Sequence, residues 1–195
     1  MEATPWRFES SQPHHTSDFY NLCYNTSMIY QTSRLLLKYV QADDIPELYD
    51  SIFSDPSVMK HAFGGSTFSL DETEAFIEQY AARESEKLGI GVLFLRESNV
   101  LIGFSGLLPY DLLGKASCEL GFVLATEHWG KGYATEIGRG QIALADALGY
   151  AEVLALVAPE NDASKAVLEK LGMAYLGESS VAARGKREIY RRKTI

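Results

Sequence analysis

Cysteine is nearly absent from this chain: of 195 residues only Cys23 and Cys118 carry a thiol, far apart and in different settings. They form neither a disulfide framework nor a thiolate metal site. Cys118 alternates with Leu120, Phe122 and Leu124, the pattern of a small core residue rather than a nucleophile. No apolar run approaches the ~18 residues that a membrane helix needs. The first residues lack the basic-then-apolar order of a secretory leader, so the expected home is the cytoplasm, with no membrane partner. Positive charge is also scarce, with 18 Lys and Arg against 26 Asp and Glu and a net charge of -8. That argues against DNA or general nucleic-acid binding through phosphate neutralisation, and an acidic surface suits amine ligands. Histidine occurs four times; His14-His15 has no further ligands beside it, and no metal is expected.

Hydrophobic residues make up 46%, enough for the core of one domain of ordinary size. Residues 1–31 differ from the rest: polar, with scattered aromatics including Trp6, Phe8, Phe19, Tyr20, Tyr24 and Tyr30. They read as an N-terminal extension, partly ordered or docked on the domain or on a second subunit, which is compatible with a homodimer. Residues 32–195 read as the domain.

Within it, Arg34 to Val40 reads as the first strand, and Asp43-Asp44 cap a helix with Pro46 in its first turn. A loop carrying His61-Ala62-Phe63-Gly64-Gly65 leads to a helix over Ser69 to Lys87, with Ser69 as cap and Glu72 at the capping-box position. Gly91 to Arg96 and Val100 to Leu108, joined by Glu97-Ser98-Asn99, read as a hairpin in which Gly103 and Gly106 mark bends or close backbone approach. Ala151 to Ala158 has the continuous apolar run of a strand buried on both faces. Asn161 or Asp162 caps a helix with Ala163, Val167 and Leu171 inward, ended by Gly172. Two further strands follow from Met173 to Ile195, and Arg184 to Lys193 holds six basic residues against the single acid Glu188, the pattern of an edge strand protected by charge.

The stretch that organises the chain is CELGFVLATEHWGKGYAT, Cys118 to Thr135. A strand places Glu119, Gly121 and Val123 on one face and Leu120, Phe122 and Leu124 on the other. Gly130 and Gly132 then open a helix carrying Ile137, Leu144 and Leu148, in which Gly138 and Gly140 permit close packing and which stops near Gly149. The pattern is neither GxGxxG nor a GKT/GKS phosphate loop. A glycine-rich helix entry nonetheless lets a phosphate approach unpaired N–H groups at the positive end of the helix dipole, so the turn is either a pyrophosphate cradle or a tight connection without a ligand.

Glu127 to Glu136 resembles the acetyl-CoA signature of the GCN5-related N-acetyltransferases (GNAT), and more closely that of their RimJ/RimL-like branch; Glu127 replaces the family's Gln or Arg. The opening around Arg34-Leu35 is similar to the start of the RimJ/RimL-like domain. Asn161 to Met173 resembles the second signature, Asn-x-x-Ser…Glu-Lys-x-Gly-Phe, with Met173 in place of Phe. The resemblance implies a mixed α/β fold. Its central, mostly antiparallel, twisted sheet would have about seven strands, with a splayed parallel pair in the middle and about four flanking helices. It implies acetyl-CoA as co-substrate and a primary amine as acceptor, either a protein N-terminus of the ribosomal-protein type or a small amine such as a polyamine, an aminoglycoside or an amino-acid-like compound.

Carried onto this chain, the resemblance places the phosphates and adjoining cofactor at His128, Trp129, Gly130, Lys131, Gly132, Tyr133, Ala134 and Thr135. It places the thioester at backbone N–H groups of Phe122, Val123 and Leu124, and further cofactor contacts at Asn161, Ser164 and Lys170. Glu119 is the candidate proton acceptor, acting through a water, or else a solvent-facing strand residue. Ser164 is the candidate acid, because the family's tyrosine position holds Leu168, or else a helix-start serine bonded to backbone. His61 and Glu119 are the substrate-side candidates. Contact of the basic C-terminal run with RNA or with the 3′-phosphate of CoA is the alternative to edge protection. A domain that binds acyl-CoA without catalysis is the competing class, supported by Leu168 and Glu127.

Overall fold

The structure is a computed structural model describing residues 28–195 except 86, 113–114, 182–183 and 194–195. Cys23, His14-His15 and the aromatics up to Tyr24 lie outside the described residues. The sheet begins at β1 (Met28–Gln31), inside the segment expected to be the extension, and β1 pairs antiparallel with β2 (Leu35–Tyr39). Tyr30 reaches α4 (Tyr133–Ala147), where its hydroxyl donates to the Ile137 carbonyl at 3.1 Å and its ring fills the space above Gly140.

Eight described strands form one sheet in the order β1-β2-β3-β4-β5-β6-β8-β7, with β3 at Gly89–Leu95, β4 at Leu101–Leu112, β5 at Lys115–Leu124, β6 at Glu152–Val157, β7 at Ala174–Val181 and β8 at Gly185–Lys193. The expected first strand is therefore the second. All neighbours are antiparallel except β5 and β6. β8 lies between β6 and β7, so the basic run is interior and β7 is the edge. Three of its six charges are matched by carboxylates within the fold: Arg184 by Glu119, Lys186 by Glu178 and Arg191 by Glu152. The Arg192 guanidinium donates to the Leu171 carbonyl. Internal pairing, rather than edge protection, accounts for half of these charges.

Strand alternation directs side chains to two helical layers. On one face, Val92, Phe94 and Phe104 pack against α1 (Ile45–Leu48), its continuation through Phe53, α2 (Pro56–Met59) and α3 (Leu70–Tyr80). On the other, Cys118, Leu120, Val153 and Ala155 pack against α4 and α5 (Asp162–Lys170). Among the described residues no helix is long and apolar enough to cross a membrane.

The capping box at α3 forms as expected: the Ser69 N–H donates to Glu72 Oε2 at 2.7 Å and the Glu72 N–H to Ser69 Oγ at 3.2 Å. The helix ends at Tyr80, short of Lys87, because Ala81 turns to extended backbone and the Ala82 N–H donates to the Ile90 carbonyl at 2.8 Å. Asp44 occupies the N-cap position of α1 with Pro46 in its first turn, as expected; a 3-10 turn (Ala42–Asp44) capped at Gln41 precedes it, and the Gln41 N–H donates to Asp44 Oδ2 at 2.8 Å. In α5 the inward residues are Leu168 and Leu171, with Ser164 and Val167 half-buried; Ala163 is exposed, since the helix starts one residue before it.

Gly103 and Gly106 are sites of close approach: a Cβ at Gly103 would sit 2.1 Å from the Val123 carbonyl oxygen, and one at Gly106 2.1 Å from that of Gly89. Gly103 also has φ +148°, which L side chains avoid. Gly103→Ala is expected to cost about 1–3 kcal/mol of unfolding free energy, measured by urea denaturation; an unchanged midpoint would contradict this packing.

Candidate active site

The parallel pairing of β5 with β6 covers only Cys118↔Val153 and Glu119↔Leu154. Beyond it, β5 stays with β4 as far as Leu124↔Gly103, and β6 stays with β8 as far as Val157↔Glu188. The strands splay, leaving the β6-facing edge of residues 120–124 without a strand partner. A cleft of about 1380 Å³ fills the gap, running from His61, Phe63 and Tyr80 past Glu119 to Gly130, Gly132 and Ser164.

At one end of the cleft, a short 3-10 turn (Thr126–His128) leads from β5 to the glycines. Gly130 has φ +71° and Gly132 φ +82°, and Gly132 occupies the N-cap of α4, so the cap has no side chain of its own; the Arg34 guanidinium lies beside it, its Nη2 3.5 Å from where a Gly132 Cβ would sit. A Cβ at Gly130 would meet nothing within 4 Å. The first-turn N–H groups of this 15-residue helix thus have no side-chain cap, and the neighbouring guanidinium adds positive charge, which fits a pyrophosphate. Trp129 is anchored by its indole N–H, which donates to the Leu124 carbonyl at 2.7 Å, while its ring stays half-exposed. His128 is buried beside Tyr133, and burial, outweighing Glu127, holds its imidazole pKa below the usual value.

Glu136, absent from the sequence-based candidates, holds this turn in place. Its Oε1 accepts from Thr32 Oγ1 (2.6 Å), Ser33 Oγ (3.0 Å) and the Arg34 N–H (2.8 Å), and its Oε2 accepts from Arg34 Nε (2.6 Å). Arg34 Nη1 donates to the Lys131 carbonyl at 3.1 Å, and the guanidinium lies 4.6 Å over the Tyr133 ring. Burial raises the Glu136 carboxyl, but the hydrogen bonds from Thr32, Arg34 and Ser33 outweigh it and hold the pKa at about 2. An acid in the first turn of a helix was the available signal; its partners lie about a hundred residues upstream.

In the middle of the cleft, Glu119 is only 5% exposed, which removes the solvent-facing alternative. Its two oxygens accept from Arg184 Nη1 (2.6 Å) and Nη2 (2.9 Å). Arg184 and Arg187 both line the cleft; the sequence offered them only as members of the basic run, not as individual site residues. His61 also lines it, with Nδ1 at 3.8 Å from Glu160. The Phe63, Phe68, Phe76 and Phe104 rings line the cleft, packed on the fully buried Phe53, which stacks on Phe104 at 5.3 Å. Cys118 is fully buried and burial pushes its thiol up to about 12, so it is no nucleophile.

From α5, Asn161 Oδ1 accepts the Ser164 N–H at 3.0 Å, which makes Asn161 the cap and leaves its amide nitrogen available. Among the described residues the Ser164 hydroxyl makes no hydrogen bond to backbone, and it lines the cleft. Leu168, where the resemblance implies tyrosine, is 2% exposed and packed in the core. Lys170, at the end of α5, is exposed and borders the cleft.

A family model described as an acetyltransferase (GNAT) domain matches residues 34–174. The chain belongs to the GNAT acetyltransferases. Two Bacillus subtilis proteins are similar to this acetyltransferase: YkkB, uncharacterised, 30% identical over 149 residues (74% of this chain, 84% of the relative), and YoaA, an uncharacterised N-acetyltransferase, 29% identical over 147 residues (74% and 81%). Among solved structures, a GNAT-family acetyltransferase from Bacillus anthracis superposes with TM-score 0.71 at 22% identity, covering 84% of this chain and 97% of its own. RimL, the ribosomal L7/L12 α-N-protein acetyltransferase in complex with CoA, gives 0.67 at 15% (85% and 97%). The Vibrio cholerae spermidine N-acetyltransferase in complex with CoA and spermine gives 0.68 at 19% (84% and 97%). These structures share the fold, and together with the family match and the named relative they make this enzyme an N-acetyltransferase.

The low Glu136 pKa carries a stability signature. A carboxyl depressed from 4.5 to about 2 contributes stability that is present above 4.5 and is lost as pH falls towards 2. Glu136→Gln is expected to cost on the order of 2 kcal/mol at neutral pH, and the gap to the unsubstituted protein should close between pH 4.5 and about 2. Denaturation midpoints across that range measure it; a gap independent of pH would contradict the ion-pair account.

Proposed function

We propose that this enzyme moves the acetyl group of acetyl-CoA to a primary α-amine by direct attack in a ternary complex, with a protein or peptide N-terminus as the leading acceptor class. The observation that carries this reading is the single cleft that joins an open helix N-terminus, an unpaired strand edge and a buried carboxylate. CoA in the RimL and spermidine acetyltransferase structures supports acetyl-CoA as co-substrate. Gly130 to Ala134 would hold the phosphates through backbone N–H groups, with His128, Trp129 and Thr135 beside them and Lys131 contributing charge. The thioester would lie along Phe122 to Leu124, where donors held in place are typically worth ~2.7–4 kcal/mol to the oxyanion. Asn161 would offer its amide nitrogen to the pantetheine arm, and Lys170 charge at its side.

In the reaction the amine lone pair forms the C–N bond, the carbonyl oxygen takes up negative charge, and the C–S bond breaks to release the thiolate. Glu119 accepts the ammonium proton through a water and returns it to solvent, and the Ser164 hydroxyl relays a proton to the departing thiolate while taking one from solvent water, so that both side chains end as they began. Because both Glu119 oxygens are held by Arg184, the demand on this base must be small. An α-amine, titrating near ~7.7–8.0 against ~10.4 for a lysine-like amine, makes that small demand. A polyamine would meet two guanidinium groups, Arg184 and Arg187, on the acceptor side.

Incubation with acetyl-CoA and panels of N-terminal peptides, polyamines and aminoglycosides, followed by detection of free thiol, tests the reading. Peptide α-amines should turn over fastest; acetyl-CoA binding without turnover of any amine would favour the non-catalytic class. Gly132→Asp, whose backbone Asp can adopt, puts a carboxylate in the cradle and should weaken acetyl-CoA binding by roughly 100-fold; unchanged affinity would refute the cradle. Ser164→Ala should lower kcat by roughly 100-fold with little change in KM, and unaltered kcat would exclude Ser164 as the acid.

A further inference from the structure

Arg187 is 7% exposed, and its side-chain hydrogen bond among the described residues runs from Nη1 to the neighbouring Lys186 carbonyl at 2.9 Å. A guanidinium carries five N–H donors in a planar fork, so most of its capacity is unspent. The carboxylates around it are committed elsewhere: Glu119 to Arg184, Glu178 to Lys186 and Glu152 to Arg191, with Glu188 turned to Lys165. Glu160, largely exposed, lies beside His61. No described carboxylate stands at ion-pair distance from Arg187. A buried cation without a partner is costly, and removing its charge by titration is not open to arginine.

Its position says where the missing partner belongs. In β8, Glu188 and Tyr190 face the α5 layer, where Lys165 meets Glu188 and Tyr190 joins Leu168 in the core. Arg187 therefore points to the opposite face. Glu119, flanked by Cys118 and Leu120 that face α4 and α5, points to that same opposite face. Arg187, Arg184, Glu119, His61 and Tyr80 all line the cleft there, away from the glycine turn. Burial first, then the Arg184 charge, lower the Arg187 pKa, with Glu160 and Glu119 opposing, which places these groups within one another's field.

We propose that Arg187 receives a carboxylate of the acceptor, so that the substrates of this enzyme are amines carrying a carboxylate close to the reacting nitrogen. The assignment rests on the acetyl transfer proposed above. The planar fork suits a carboxylate in bidentate geometry, and the ligand charge supplies what the fold withholds. The carboxylate comes either from a free amino acid or from an acidic side chain at a peptide N-terminus; the chemistry recognised is the same.

Two matched pairs of acceptors distinguish these sources: alanine against alaninamide, and Glu-Ala-Ala-amide against Gln-Ala-Ala-amide. With acetyl-CoA saturating and thiol release as readout, the carboxylate member of at least one pair should show a kcat/KM at least ~10-fold higher. Arg187→Gln should bring that ratio close to one, and Arg187→Lys should restore part of it. Equal rates within both pairs, or a preference that survives Arg187→Gln, would overturn the proposal while leaving acetyl transfer intact. A loss of acetyl-CoA affinity in Arg187→Gln as large as the loss of acceptor preference would also overturn it, by assigning Arg187 to the cofactor.

If no amine is acetylated, acetyl transfer fails, and calorimetry on the CoA-saturated protein still decides the role of Arg187. N-acetylalanine or N-acetyl-Glu-Ala-Ala-amide should bind more tightly than its uncharged counterpart, N-acetylalaninamide or N-acetyl-Gln-Ala-Ala-amide, and Arg187→Gln should abolish the difference; equal binding within both pairs, or none, overturns the proposal. Thermal melting of Arg187→Gln without ligand should show no loss of Tm, since no pair is broken. A fall of more than about 5 °C would mark Arg187 as a structural residue.

Discussion

The candidate site depends on a parallel strand pairing that stops after two residues. Cys118 and Glu119 pair with Val153 and Leu154, and then β5 and β6 follow different partners, β4 and β8. A sheet that stayed closed would bury the backbone of residues 120–124 in a hydrogen-bond ladder. The splay instead leaves that edge facing a cleft, with the glycine turn at its far end and Glu119 at the fork. Backbone donors fixed by β4 on their other side need no reorganisation when charge develops beside them, which is the physical basis of oxyanion stabilisation.

The open cleft is held at both ends by ion pairs between distant parts of the chain. At the glycine-turn end, Glu136 gathers the turn between β1 and β2, and Arg34 carries the constraint on to the Lys131 carbonyl and the Tyr133 ring. Two glycines in left-handed conformations would otherwise leave this turn free to move. At the Glu119 end, Arg184 spans from the β7–β8 hairpin to that carboxylate, fastening the far side of the splay to β5. Tyr30 adds a third fastening, from β1 to the Ile137 carbonyl on α4.

What the sequence made legible was local. The glycine turn, the Ser69 capping box, the Asn161 cap and the close approaches at Gly103 and Gly106 each follow from residues a few positions apart. The reading failed where burial depends on a partner far along the chain. Glu119 alternates like any strand residue facing water, and only Arg184, 65 positions later, makes it an interior ion pair. The basic run from Arg184 to Lys193 has the composition of a charged edge, yet β7 folds outside it and takes that place. β1 was legible only as a few residues of an atypical segment, because its strand character comes from pairing with β2 and from the fit of Tyr30 to Gly140.

Net charge and local charge point in opposite directions here, and the difference carries meaning. A chain at -8 has acidic residues to spare, and the fold uses them to match Arg34, Arg184, Lys186 and Arg191 one by one. Arg187, among the most buried of the cations, is passed over. Had its task been structural, the same supply of carboxylates could have served it, as it serves the neighbours on either side in β8. Under the proposed assignment, the net negative charge of the chain would favour the approach of an ammonium, and the withheld counter-charge inside the cleft would select among amines by what else they carry; attraction would be spread over the charge of the whole chain and discrimination concentrated at one buried guanidinium.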